Sequence, residues 1–206
     1  MDTPARLLLV RHGETDWNRT GKVQGHTDVP LNDRGRAQAA TVAPRVADCD
    51  IAAIHASDLS RAAESAAIIG AALDLAPRSV PAFREVHLGV EGITDAEVRR
   101  THGELITALV RLGDRPFGPG GETFATFQGR VREGFDALCR DHAGETVMIV
   151  SHGGTLKALI ADLIGLPPES IGRLSLRQNG GISVVDFRHG RPQLTLLNSA
   201  HGSIAP

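Results

Sequence analysis

Leu7-Leu8-Leu9-Val10-Arg11-His12-Gly13 and Val147-Met148-Ile149-Val150-Ser151-His152-Gly153-Gly154 repeat one pattern: an aliphatic run that ends abruptly in a polar residue, a histidine and glycine. A short apolar run stopped by turn residues reads as a strand buried on both faces. Ile51 to Ala56 is a third such run. Between these runs the spacing turns helical. One pattern starts near Asp33, with Ala37, Ala40 and Val46 on related faces. A second runs from about Leu59 to Leu73, with Ser57 or Asp58 as its cap, and a third from Thr123 to Cys139. A fourth, from Thr155 to Ile164, stops before Pro167-Pro168. Val80 to Val86 reads as extended. Ile182 to Phe187 and Leu194 to Leu197 read as strands joined across Arg188 to Pro192 as a hairpin. Strands alternating with helices predict an α/β fold, a three-layer α/β/α sandwich around a mostly parallel sheet. Residues 1–206 form a single domain on this reading, with a cap insertion at about 93–121 that starts in a helix and ends in the loop Gly118 to Gly121.

Composition narrows the function. Hydrophobic residues make up 41%, enough for a real core, while aromatics are only 3% and tyrosine is absent. Stacking platforms for single-stranded nucleic acid are therefore not expected. A net charge of -2 offers no basic surface for a duplex, so no nucleic-acid partner is expected. No apolar window approaches the ~18 residues of a membrane span, and the apolar N-terminal stretch is too short for a signal peptide. The expectation is a cytoplasmic protein with no membrane partner. Cys49 and Cys139 stand far apart, and the remaining histidines have no metal-like spacing, so neither a disulfide framework nor a metal site is expected.

Ligands of open α/β sheets gather at the carboxyl ends of the strands. Two such ends carry His12 and His152; Arg61 lies just beyond a third, and Arg11 adds a second guanidinium. Imidazoles and guanidiniums converging there suit a phosphate dianion, which arginine binds in a fork. Gly13, Gly153 and Gly154 would let backbone approach such a ligand, and the helix beginning near Thr155 would aim its first N–H groups at the anion.

The segments LVRHGETDWN and QGHTDVPLNDRGRAQA, then SDLSRAAESA, VSHGG and NGGISVVDF, occur in order from about Arg6 to His201. Together they resemble the motifs of the histidine phosphatase superfamily, in its phosphoglycerate-mutase-like branch. The resemblance implies that His12 is a nucleophile that accepts a phosphoryl group, and that Arg11, Arg61, His152, Asn18 and Gly153 surround the phosphate. It also implies that Glu85 protonates the departing alkoxide and then activates water, with no metal or cofactor. At the acid the chain departs from the family pattern. Glu85-Val86-His87-Leu88-Gly89-Val90-Glu91-Gly92 is one residue shorter and lacks the usual aromatic and Trp. Glu91 is the fallback acid, His87 faces either substrate or water, and His201 is a weaker candidate for substrate contact. The function expected is a phosphomonoesterase acting on a small phosphate ester. The alternatives are a cofactor-dependent phosphoglycerate mutase and an inactive phospho-ligand-binding member. Retention of both histidines and the acid argues against the last.

Overall fold

Alternation along β1 (Arg6–Arg11) divides the interior in two. Leu7 and Leu9 point into one apolar cluster and Leu8 and Val10 into another, and Leu7, Leu8 and Leu9 are wholly inaccessible to solvent. The computed structural model describes residues 3–94, 96–98, 100 and 113–204. After β1 come α1 (Asp16–Arg19), α2 (Asp33–Ala40), α3 (Val42–Arg45), β2 (Ile51–Ala56), α4 (Ser60–Leu73) and β3 (Arg78–Ser79). Then follow α5 (Phe124–Asp141), β4 (Thr146–Ser151), α6 (Gly153–Leu163), β5 (Ile182–Arg188) and β6 (Arg191–Ser199). The six-stranded sheet has the order β3-β2-β4-β1-β5-β6. Strands β1, β2, β3 and β4 run parallel, β5 runs antiparallel beside β1, and β6 pairs antiparallel with β5.

Helices α5 and α6 cover one face through Phe127, Val131, Phe135, Leu156 and Leu159, packed on Leu7, Leu9, Val147 and Ile149. The other face buries Leu8, Val10, Met148 and Val150 under Val42 and Val46 at α3 and Ala66 and Ile69 of α4. The three-layer α/β architecture is the one expected. Truncating a central residue such as Leu8 to Ala would cost about 2–5 kcal/mol. The β5–β6 hairpin turns at His189 and Gly190, with φ of 53° and 72°. Two successive positive φ values fit the primed turns whose twist matches the flanking strands.

Three local expectations are corrected. The helix starting at Asp33 does not continue to Val46: it ends at Ala40 and restarts as α3. Pro44 has no N–H for the Ala40 carbonyl, and its ring crowds that carbonyl. The break rephases the faces, so Ala37 and Ala40 are exposed while Ala39, Val42 and Val46 are buried. Helix α4 is not capped by Ser57 or Asp58; Leu59 is its N-cap, and the Ser60 N–H donates across space to Asp28 Oδ1 at 2.8 Å. Val80 to Val86 is not a strand. Pro81 sets a fixed φ that opens a 3₁₀ turn, Pro81–Phe83, anchored by the fully buried Phe83. Of the span 93–121 read as a cap insertion, residues 95, 99 and 101–112 lie outside the described residues. Among the described residues, no helix is long and apolar enough to cross a membrane.

Candidate active site

Strand register sets the spacing of the two histidines. Arg11 of β1 pairs with Ser151 of β4, so His12 and His152 leave neighbouring parallel strands at the same level. The His12 N–H donates to the Ser151 carbonyl at 2.9 Å, extending the ladder one step. Neighbouring strands lie ~4.8 Å apart, and the two ring centroids are separated by 5.1 Å. Strand β2, next to β4, delivers Ser57 and then Arg61 in the first turn of α4.

The two imidazoles are held in different ways. His12 Nδ1 lies 2.6 Å from the Gly13 carbonyl oxygen. A carbonyl only accepts, so Nδ1 carries the proton and Nε2 keeps its lone pair. Burial, then the charges of Arg61 and Arg11, pushes the His12 pKa well below its ordinary value, so the ring is neutral. His152 is wholly buried. Its Nδ1 accepts from Arg61 Nε at 3.2 Å, so its proton sits on Nε2 and is donated to Ser57 Oγ at 2.8 Å. Burial, followed by Arg61, lowers its pKa as well.

Arg61 is 1% exposed. Beyond His152 it donates to the carbonyls of Thr27 and Gly25, at 2.9 and 2.8 Å. Each terminal nitrogen keeps a second N–H for a ligand. Burial draws its pKa down to about 10, which leaves it cationic at neutral pH. Arg11 is anchored by the carbonyls of Leu176 and Arg177. Asn18 Oδ1 accepts from the Thr15 N–H at 3.1 Å, so the amide oxygen is committed as an acceptor and the amide nitrogen remains a donor.

Arg11, His12, Asn18, Arg61 and Glu85 line one cleft of about 330 Å³, together with Lys22, Val23, Gln24, Leu88, Arg177 and Asn179. Of the residues expected at the site, His152 packs against His12 beneath the cleft surface. Gly153 opens α6, where a Cβ would make only ordinary contact with Arg11.

The helix N-terminus does something other than expected. The N–H groups of Gly154 and Thr155 donate to the two oxygens of Glu85, at 2.9 and 3.1 Å. The positive end of α6 therefore fixes the carboxylate instead of facing the ligand. Any Cβ on Gly154 would collide with that carboxylate. Gly13 likewise serves packing: its Cα abuts the backbone of Gly35, and its N–H donates to Ser65 Oγ at 3.0 Å. Glu91 does not reach the cleft; Oε1 accepts from His87 Nδ1 at 2.7 Å and from the Leu88 N–H at 3.0 Å. His87 stacks on His26, with centroids 5.0 Å apart, and does not line the cleft. His201 is exposed beside a separate hollow formed with Arg34 and Gln38.

Sequence reasoning missed Ser57 and Asn179. Asn179 Nδ2 donates to the His12 carbonyl and to Asn18 Oδ1, at 3.0 and 3.3 Å. Both asparagines lie in quoted motifs, but only the folded chain brings them together.

A neutral imidazole lone pair, two guanidiniums and an oriented carboxylate in one cleft define a site for phosphoryl chemistry. Residues 7–200 match the family model of the histidine phosphatase superfamily, branch 1, and the chain belongs to that family. It is 38% identical over 189 residues to a Yersinia enterocolitica protein named "Probable phosphoglycerate mutase GpmB", covering 89% of this chain and 85% of that one. The solved α-ribazole phosphatase of Shigella flexneri superposes with a TM-score of 0.82 at 30% identity, over 98% of this chain and 100% of that one. A phosphoserine phosphatase of Entamoeba histolytica, solved with 3-phosphoglyceric acid, gives a TM-score of 0.81 at 33% identity, covering 94% and 96%.

Proposed function

We propose that this protein is a phosphomonoesterase that hydrolyses a small phosphorylated metabolite through a phosphohistidine at His12. The carrying observation is the Gly13 carbonyl on Nδ1, which leaves the His12 Nε2 lone pair for the cleft between Arg11 and Arg61. Nε2 attacks phosphorus and the ester P–O bond breaks. Arg11, Arg61 and the Asn18 amide take the charge on the transferring oxygens, and Glu85 gives a proton to the departing alkoxide. Water then attacks the phosphohistidine, Glu85 receives its proton, and phosphate leaves with His12 neutral again. His152 holds Arg61 beside the nucleophile. The two arginines supply charge stabilisation without calling on a metal ion or cofactor.

Support for a small ester over a nucleic acid comes from the cleft of about 330 Å³ and the low aromatic content. Reading the protein as cytoplasmic rests on its two free buried cysteines, Cys49 and Cys139.

The names of the curated relatives favour a second reading, phosphoglycerate mutase. A mutase shares the first step but must exclude water and grip a second anion while the phosphoryl group returns. Among the described residues, no residue of 92–121 lines the cleft, and the rim cations are Lys22 and Arg177. Hydrolysis is placed first because the span 92–121 is short and its arginines are offset by Asp95, Glu97, Glu104 and Asp114, a poor grip for a second anion. Supplying 3-phosphoglycerate with 2,3-bisphosphoglycerate decides between the two. Phosphate release should dominate; isomer formation outrunning it by more than about tenfold would reverse the assignment.

A further inference from the structure

Glu85 lies in a segment one residue shorter than the family motif and without its usual aromatic and Trp, so what holds the acid here has to be read from the structure. Arg130, in α5, reaches across to that segment. Its Nη1 donates to the carbonyls of Ala82 and Arg84, each at 2.8 Å. Its Nη2 donates to the carbonyl of Glu85 at 2.8 Å and to Glu122 Oε1 at 2.7 Å, and its Nε to Glu122 Oε2 at 3.0 Å. Glu122 Oε1 also accepts the His87 N–H at 2.7 Å. The guanidinium lies 5.0 Å from the ring centroid of Phe127. One side chain and its counterion thus bind the backbone before, at and beyond the acid. On the opposite side the Thr155 hydroxyl donates to the Arg84 carbonyl at 2.7 Å. Arg130 itself does not line the cleft.

We propose that Arg130, oriented by Glu122, is a positioning residue for proton transfer by Glu85. Its planar fork sets the backbone from Ala82 to His87, so that the carboxylate meets the α6 N-terminus at the wall of the cleft that His12 also lines. A lysine ammonium in its place would be a point charge and could not serve three carbonyls and a carboxylate in fixed directions. This inference rests on the reading of Glu85 as the acid, and it predicts a loss confined to reactions that need the leaving-group proton.

The test compares kcat/KM, which reports through departure of the leaving group, for two esters. p-Nitrophenyl phosphate expels a phenolate that needs little protonation, whereas glycerol phosphate expels an alkoxide that needs a proton. Glu85→Gln should lose about 10²-fold or more on the alkyl ester and less than about tenfold on the aryl ester. Arg130→Lys and Glu122→Gln should show the same selectivity at smaller amplitude, at least about fivefold greater loss on the alkyl ester. Thermal unfolding checks that each variant folds, and Glu122→Gln decides if Arg130→Lys does not. A selective Glu85→Gln with unselective or silent Arg130→Lys and Glu122→Gln overturns the positioning role alone. An unselective Glu85→Gln overturns the reading of the acid, and the inference falls with it.

Discussion

His12 Nδ1 stands 2.6 Å from the carbonyl oxygen of Gly13, the next residue along the chain. The residue that follows the histidine therefore also selects its tautomer, without any other side chain. His12→Ala should reduce turnover by at least about 10³-fold, as loss of a nucleophile does elsewhere, and leave thermal unfolding close to wild type. Acid-labile, base-stable labelling by a ³²P-ester should disappear with it. Near-normal turnover in a folded variant would end the phosphohistidine mechanism.

On the proposed mechanism, the same ring sets the acid limb of the rate profile. Burial first, then Arg61 and Arg11, lowers its pKa, and the Gly13 hydrogen bond only partly offsets them. The reactive form is neutral, so activity is present above the pKa in the folded protein and lost below it. The acid limb of kcat/KM should thus fall below the ordinary imidazole value of about 6.5, after correction for the ester's own ionisation near 6. Removing a cation with Arg11→Gln should move the limb upward. An acid limb at or above the ordinary value in the wild-type enzyme would contradict the assignment.

Arg61→Ala should cost about 10²-fold or more in kcat, as losing one preorganised donor does. It should also destabilise, because the carbonyls of Gly25 and Thr27 and the Nδ1 of His152 lose their donor together. About 1–3 kcal/mol is expected for each buried group left unsatisfied. Arg61→Lys should recover part of the rate and less of the stability. Wild-type kinetics in the lysine variant would show that the fork is dispensable.

Away from the cleft, His55 and His142 are buried with their Nε2 atoms 3.1 Å apart, and His142 Nδ1 lies 2.7 Å from Glu145 Oε2. Burial, then His142 and Arg78, lowers the His55 pKa to about 4, with Asp141 opposing. The folded state therefore resists a proton that the unfolded chain takes up near 6.5. Stability from His55 is full above that value and declines as pH falls toward 4. Urea midpoints should drop between about pH 7 and about pH 5, and His55→Leu should shrink the drop. An equal pH dependence in the variant would place its origin elsewhere.

The parts of the fold legible in the sequence were those governed by local pattern. Leu7 to Val10 and Thr146 to Val150 are runs buried on both faces, so their identity as strands needed no tertiary knowledge, and the two histidines came with them. Arg11 and Arg61 followed from strand exits, while Asn18 and Glu85 rested on family resemblance. What escaped was set by contacts between distant segments. Asp28 caps α4 from another loop, so the choice between Ser57 and Asp58 had no local answer. The hydroxyl of Ser57 was instead claimed by a histidine at the end of β4. The α6 N-terminus was legible as an electrostatic site, but its occupant, Glu85, comes from the stretch Val80 to Val86, whose extended pattern gives way to the Pro81–Phe83 turn once Phe83 is buried.

The contact of Gly13 with Gly35 leaves the loop after His12 and α2 touching peptide to peptide, where any Cβ on either residue would meet backbone. Side chains in contact can adjust to a neighbour by changing rotamer, but two abutting peptides have no such slack. Position 35, outside the cleft, is in that sense tied to the placement of the His12 ring. Evolutionary exploration of new esters would then be channelled to the rim, where the exposed side chains of Lys22 and Arg177 can be exchanged without displacing the imidazole.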